Sequence, residues 1–132
     1  MLVDAPFNRL TRDIIGAAIE VHRVLGPGLL ESTYAPCLHF ELAARKIRFV
    51  PQLVIPLVYK GTTIQANYRV DLIVEDLVVV EIKSVDVVLP VHDAQLLTYM
   101  RLAKVPAGLL INFNVAKLVD GVTRRINTVR TG

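Results

Sequence analysis

The stretch from Val70 to Lys83 constrains the fold more than any other part of this 132-residue sequence. Even positions from 64 to 74 are mostly apolar and odd positions from 65 to 71 are polar, which is the pattern of a half-buried strand. After a turn near residues 75–77 a second strand returns, and a shift of one residue in its register would mix the apolar and polar faces. The predicted cross-strand pairs are Val74 with Val78, Leu72 with Val80, and Val70 with Ile82.

The same register places two carboxylates together on the opposite face. Asp71 lies opposite Glu81, and the Cβ atoms of such neighbours are about 4.5–5.5 Å apart. Two carboxylates at this distance repel each other, and a divalent cation relieves the repulsion. Lys83 projects from the same face and can hold a water or an anionic substrate beside the cation. The residues alone leave an alternative open, in which these three and Arg69 form structural ion pairs.

Elsewhere the sequence predicts the order helix, helix, three strands, helix, strand. Apolar residues recur at helical spacing from Leu10 to Leu25, where Gly26-Pro27 supplies a stop. A first strand spans about Phe49 to Tyr59, and its two prolines indicate the edge of a sheet. Residues 108–113 form a buried strand, and Asp120-Gly121 predicts a hairpin turn between two short strands.

Three motifs in this order resemble a known superfamily. Asp71 followed by Glu81-Ile82-Lys83 is similar to the catalytic signature of the PD-(D/E)XK nucleases. The segment Gly28-Leu29-Leu30-Glu31-Ser32-Thr33-Tyr34 resembles the Gly-x-x-Glu-x-x-Tyr motif of the GxxExxY protein family, a branch of that superfamily. His92-Asp93-Ala94-Gln95-Leu96-Leu97-Thr98-Tyr99 resembles the helix that follows the lysine strand. The resemblance covers roughly residues 10–126.

The resemblance implies an α/β fold with a restriction-endonuclease-like αβββαβ core, in which helices flank a mixed, mostly antiparallel sheet. It also implies roles for particular residues. The expected metal ligands are Asp71, Glu81 and the carbonyl of Ile82. The expected catalytic residues are Lys83, Glu31 and Gln95, with Gly28, Tyr34 and Tyr99 in supporting positions.

Several of these residues also have a purely structural interpretation. An acidic residue at a helix start, such as Glu31, is stabilised by the helix dipole. Pro36 either moves the start of that helix to about Ser32 or kinks it, and both outcomes displace Glu31 from the site. Gln95 and Tyr99 share a helical face and can serve packing alone. Tyr34 can pack against the first helix or bond to the site.

Composition bounds the class of protein. The length predicts a single domain over residues 1–132. Although 53% of the residues are hydrophobic, no apolar run approaches the roughly 18 residues that span a bilayer. Residues 1–6 lack the basic and apolar regions of a secretory signal, so we expect no membrane association and a cytoplasmic location. The net charge of +3 permits a phosphate-bearing partner without providing a dense polybasic arm.

The sequence therefore predicts a metal-dependent nuclease that hydrolyses the phosphodiester bonds of nucleic acid. Hard oxygen ligands without cysteine or clustered histidine favour Mg²⁺ or Mn²⁺ over zinc. The small size of the chain leaves an alternative, a non-catalytic nuclease-like scaffold that binds nucleic acid or a protein partner. The high apolar fraction leaves a third, a dimerising domain, so a homodimer is also considered.

Overall fold

The computed structural model describes residues 5–127, except for the side chains of residues 66 and 67. Residues 1–4, on which the expectation about a secretory signal partly rests, and the carboxyl end of the predicted 1–132 domain lie outside the described residues. The helices are α1 (Pro6–Leu25), α2 (Glu31–Ala44) and α3 (Pro90–Ala103), with a short 3₁₀ helix at Leu118–Gly121. The strands are β1 (Phe49–Tyr59), β2 (Thr62–Val74), β3 (Val78–Lys83), β4 (Ala107–Asn112) and β5 (Val122–Ile126).

The described strands form a five-stranded sheet in the order β1-β2-β3-β4-β5. β3 and β4 are parallel, because α3 crosses between them, and the other neighbours are antiparallel. This confirms the predicted αβββαβ core with a mixed, mostly antiparallel sheet. β1 lies at the edge, as Pro51 and Pro56 predicted, since a proline cannot donate to a sheet ladder.

Buried clusters cover both faces of the sheet. α1 and α2 pack on one face, where Ile14, Leu38 and Leu72 belong to a single buried cluster. α3 packs on the other face, through Leu96 and Met100. No helix within residues 5–127 is long and apolar enough to cross a bilayer.

The register of β2 and β3 is the predicted one as far as the ladder extends. Val74 pairs with Val78 and Leu72 pairs with Val80, which confirms those two pairs. The predicted pair of Val70 with Ile82 is wrong. Val70 packs in the cluster on the α3 face, whereas Ile82 packs in the cluster under α1 and α2. The alternation along β2 is interrupted between residues 70 and 72, opposite a β1 residue, Gln52, with a φ of 54°.

The hairpin turn predicted at Asp120-Gly121 is also wrong. Both residues lie in the 3₁₀ helix, and neither has the positive φ that the commonest Asp-Gly hairpin turn requires. β5 pairs instead with β4 across this longer connection. A Cβ atom on Gly121 would lie 2.1 Å from the carbonyl oxygen of Asn112, so the glycine serves a close backbone approach.

Candidate metal centre at the open end of β2 and β3

Asp71 and Glu81 meet where the β2–β3 ladder stops. The amide of Ile82 donates to Oδ2 of Asp71 at 2.8 Å, and the amide of Asp71 donates to Oε1 of Glu81 at 3.2 Å. Each carboxyl group thus accepts from the backbone of the opposite strand, where a backbone carbonyl would otherwise accept. The backbone ladder ends at Leu72 and Val80, and the acidic pair lies just beyond it, at what is here called the opening.

Burial and like charge act together on Glu81, which is only 6% exposed. Desolvation first, and then the negative charge of Asp71 and a hydrogen bond to its side chain, raise the pKa of Glu81 to about 8. The positive charge of Lys83 lowers that pKa and opposes these effects. At neutral pH the acidic pair therefore retains a proton unless another cation replaces it.

The backbone of β3 directs a further oxygen atom at the opening. The amide of Ile82 points toward β2, because it donates to Asp71. In a strand, the amide and carbonyl of one residue face the same neighbouring strand, so the carbonyl of Ile82 also faces the opening. The next carbonyl, that of Lys83, points the other way and accepts from the amide of Phe113 at 2.9 Å.

Helix α3 brings Tyr99 to the acidic pair. Burial, followed by the negative charges of Glu81 and Asp71, raises the pKa of the Tyr99 hydroxyl, which therefore lies within electrostatic reach of both carboxyl groups. Gln95 lies one turn earlier on the same helix face and is exposed. It makes no hydrogen bond to another described residue.

Tyr34 and Gly28 shape the loop that leads into α2. The fully buried hydroxyl of Tyr34 donates to the carbonyl of Gly26 at 2.6 Å and accepts from the amide of Leu29 at 3.1 Å. Its ring stacks on that of Phe113, with centroids 4.4 Å apart. Gly28 has a φ of 92°, which favours glycine. Of the two interpretations left open for Tyr34, the structure places it in packing and in this loop.

Glu31 is the first residue of α2, which keeps Pro36 inside its span. Its loop is tied to the end of β3 by a hydrogen bond of 2.5 Å from Oγ of Ser84 to the carbonyl of Leu29. The Glu31 side chain is exposed, and it makes no hydrogen bond or ion pair with any residue between 5 and 127. The structure does not bring it into contact with the acidic pair.

The donor atoms at the opening fit a hard divalent cation. Two carboxyl groups and a backbone carbonyl supply oxygen only, and the negative charge of Asp71, which together with burial raises the pKa of Glu81, favours a positive charge there. Across the described part of the chain, no group of three or more histidine, cysteine, aspartate or glutamate side chains could hold a metal. Mg²⁺ tolerates so few protein ligands because it retains several of its waters.

A comparison with protein families identifies the superfamily of this chain. A family model for the PD-(D/E)XK nuclease superfamily matches residues 8–126. The chain belongs to this superfamily. The match spans every described strand and all but the first residues of α1. No curated protein was found to match the chain. No solved structure was found to match it either.

Sequence reasoning missed Asn112, which orders the chain after the lysine of the superfamily motif. Asn112 is 3% exposed and pairs with Lys83 across β3 and β4. Its Oδ1 accepts from the amide of Val85 at 3.0 Å, and its Nδ2 donates to the carbonyl of Val85 at 2.9 Å. A signal was present, since an asparagine inside an otherwise apolar buried strand needs partners for its amide.

His39 is a further titratable residue near the acidic pair. It lies on α2 and stacks on the ring of Phe49, with centroids 5.1 Å apart. Burial lowers the pKa of His39 and the charge of Asp71 raises it, so the histidine is within electrostatic reach of the acidic pair. Nothing in the spacing of the three histidines predicts this proximity, which depends on how α2 packs on the sheet.

Proposed function

We propose that this protein hydrolyses phosphodiester bonds of nucleic acid with the help of Mg²⁺ or Mn²⁺. The observation that supports the proposal is the pairing of the Asp71 and Glu81 carboxyl groups at the opening between β2 and β3, in a member of the nuclease superfamily. Such a pair is costly to bury without a cation, and it adds nothing to the aliphatic core on the opposite face.

The proposed cation ligands are Asp71, Glu81 and the carbonyl of Ile82. When bound, a divalent cation supplies Lewis-acid polarisation of the phosphate and replaces the proton that the acidic pair otherwise retains. The two hydrogen bonds from backbone amides hold the carboxyl groups in place before a cation binds. Such preorganisation avoids the cost of ordering the ligands during catalysis.

Lys83 supplies a positive charge beside the proposed cation ligands. Its ammonium group lies close enough to Glu81 to lower the pKa of that carboxyl, so it would also lie near a phosphate bound at the acidic pair. There it offsets the negative charge that develops as water attacks phosphorus and one ester P–O bond breaks. Gln95 orients the water or the substrate from α3. Glu31 would complete the site through a movement of its exposed side chain toward the acidic pair, from a helix whose preceding loop is tied to β3.

We also propose that the chain is a member of the GxxExxY family within the superfamily. The roles of Gly28 and Tyr34 in one loop support this, because they give the two ends of that motif a shared structural purpose. A cytoplasmic location and a homodimer stay predictions.

A nuclease assay tests the proposed activity. Purified protein should cleave DNA or RNA when Mg²⁺ or Mn²⁺ is added and should stop when EDTA is added. Asp71→Asn should abolish cleavage, while Asp76→Asn, which removes an exposed carboxylate from the turn of the same hairpin, should leave it unchanged. The proposal fails if no nucleic acid is cut with either cation, or if Asp71→Asn retains full activity.

A second candidate is a non-catalytic scaffold that binds nucleic acid or a protein. The exposed position of Glu31 favours it, because the acidic pair then lacks a third acidic ligand. Titration calorimetry separates the two candidates. Binding of Mn²⁺ that is lost in Asp71→Asn favours the enzyme, whereas binding of nucleic acid without any cation binding favours the scaffold.

A further inference from the structure

Two tyrosine rings, one exposed and one half-buried, lie in contact beside the acidic pair. Tyr68 of β2 and Tyr99 of α3 have ring centroids 6.4 Å apart and an interplanar angle of 60°, an edge-to-face contact. Tyr68 is 40% exposed, although it pairs across the strands with Ile55, which packs in the buried cluster under α3. The helix therefore reaches one side of this pair and leaves a side of the Tyr68 ring open to solvent.

The tyrosine pair is adjacent to the proposed cation site. Tyr68 precedes Asp71 by three residues, which is about 10 Å along a strand. Tyr99 lies within electrostatic reach of both carboxyl groups. A nucleic acid whose phosphate lay at the acidic pair would thus bring a neighbouring base within range of the Tyr68 ring.

The neighbourhood of these rings indicates what kind of ligand they suit. Aromatic faces bind unpaired bases by stacking, whereas the bases of a duplex are already stacked inside it. The sequence has no dense basic run of the kind that holds a duplex by its phosphates. Stacking is independent of base identity, so it can supply affinity where charge does not.

We propose that Tyr68 and Tyr99 stack an unpaired base next to the acidic pair, so that the site takes single-stranded nucleic acid rather than duplex. This inference rests on the proposed function for the identity of the ligand as a nucleic acid. Tyr99 supports the ring of Tyr68 from α3, and Tyr68 presents the open face. DNA and RNA share the required chemistry, since both offer unpaired bases on a phosphate backbone.

Binding measurements in EDTA test this without cleavage. The probes are a short oligodeoxyuridylate, an oligouridylate, an abasic DNA strand of the same length and a duplex of the same length. The chain has four tyrosines and no tryptophan, so tyrosine emission reports a stacked base directly. We expect both single strands with bases to quench this emission, and the abasic strand to bind more weakly without quenching. The tighter of the two single strands identifies the preferred sugar.

Variants of Tyr68 separate stacking from packing. Tyr68→Leu should weaken single-strand binding by between about 5-fold and about 150-fold, the range that corresponds to about 1–3 kcal/mol per stacked base. Tyr68→Phe keeps a ring and should bind like the wild type. Tyr59→Leu is the matched control, because Tyr59 is 59% exposed at the far end of β1, and it should change nothing.

Two results would overturn the inference. One is unchanged single-strand affinity in a folded Tyr68→Leu variant. The other is equal binding of the abasic strand or the duplex by the wild-type chain, which decides the matter even where the variant does not fold. Cleavage is scored separately. A protein that stacks bases but cuts nothing contradicts the proposed function alone, and one that cuts duplex without regard to Tyr68 contradicts this inference alone.

Discussion

At the scale of single residues, the carboxyl groups of Asp71 and Glu81 replace ladder bonds that a regular strand pair would make through its backbone. Each accepts from an amide of the opposite strand, so neither can rotate away from the other without leaving that amide unpaired. The repulsion between them is therefore built into the fold. Whatever binds here binds to a pair that is already held together.

The pH dependence of stability tests this coupling in EDTA. The pKa of Glu81 is about 8 in the folded state, against an ordinary value of 4.5. Between these values the folded protein keeps a proton that the unfolded chain releases, so the free energy of unfolding falls as pH rises. Glu81→Gln cannot titrate and should be more stable than the wild type at pH 8 by on the order of 1–3 kcal/mol, since one pKa unit is about 1.4 kcal/mol.

Urea denaturation from pH 5 to pH 8 measures this difference. Asp76→Asn is the control, because Asp76 is exposed in the turn of the same hairpin and its loss should preserve the slope of the wild type. Parallel curves for Glu81→Gln and the wild type would show that Glu81 ionises normally and that the acidic pair is not coupled.

Lys83 should matter for the rate of cleavage and little for cation binding. Lys83→Gln removes the charge and keeps a polar side chain one atom shorter, and it should lower kcat by about 100-fold or more, as for other groups that stabilise transition-state charge. Lys117→Gln, at an exposed position, should have no effect. Cleavage rates and Mn²⁺ affinity are measured on both variants. A wild-type kcat in the Lys83→Gln variant would show that Lys83 has no role in cleavage.

At the scale of elements, the sequence predicted what depends on neighbours along the chain and missed what depends on distant contacts. The edge position of β1 followed from its own prolines. The face that Val70 occupies did not follow from alternation, because the interruption of β2 involves β1 and the side chain of Glu81. Likewise, Asp120-Gly121 carries a hairpin signal, yet Gly121 is selected by its approach to Asn112.

Two glycine substitutions should therefore have effects of opposite sign. Gly121→Ala places a Cβ atom against the carbonyl of Asn112 and should lower the free energy of unfolding by about 1–3 kcal/mol. Gly16→Ala, in the middle of α1 with nothing within 4 Å of its Cβ position, should raise it by about 0.5–1 kcal/mol. Urea denaturation at pH 7 measures both. If Gly121→Ala left the free energy of unfolding unchanged, the 3₁₀ helix could shift away from the carbonyl of Asn112 at no cost.

At the scale of the whole molecule, β2 and β3 hold the acidic pair, while α2 and α3 approach it from outside the sheet. The hairpin part of the site could be predicted because its register is fixed by local pattern. The positions of Glu31, His39 and Gln95 could not, since they depend on how two helices dock. The resemblance supplied expected roles for Glu31, Gln95 and Tyr99, whereas His39 was found within electrostatic reach of the acidic pair only in the structure.

A cation should stabilise the entire domain through this one hairpin. Mn²⁺ at about 100 times its dissociation constant should raise the free energy of unfolding by about 2.7 kcal/mol, which appears as a higher Tm. The gain should disappear in Asp71→Asn and persist in Asp76→Asn. Thermal denaturation with and without Mn²⁺ measures it. An equal rise in Tm for both variants would indicate that the cation binds elsewhere.

The acidic pair comes from positions only ten residues apart, on strands joined by a short turn. Hairpins close within about 1–10 μs, whereas the parallel docking of β4 must wait for the crossover through α3. In a newly made chain the acidic pair can thus form before the sheet is complete. Capturing a cation at that early moment would favour the native strand register over its competitors, making the ligand a participant in folding as well as in chemistry.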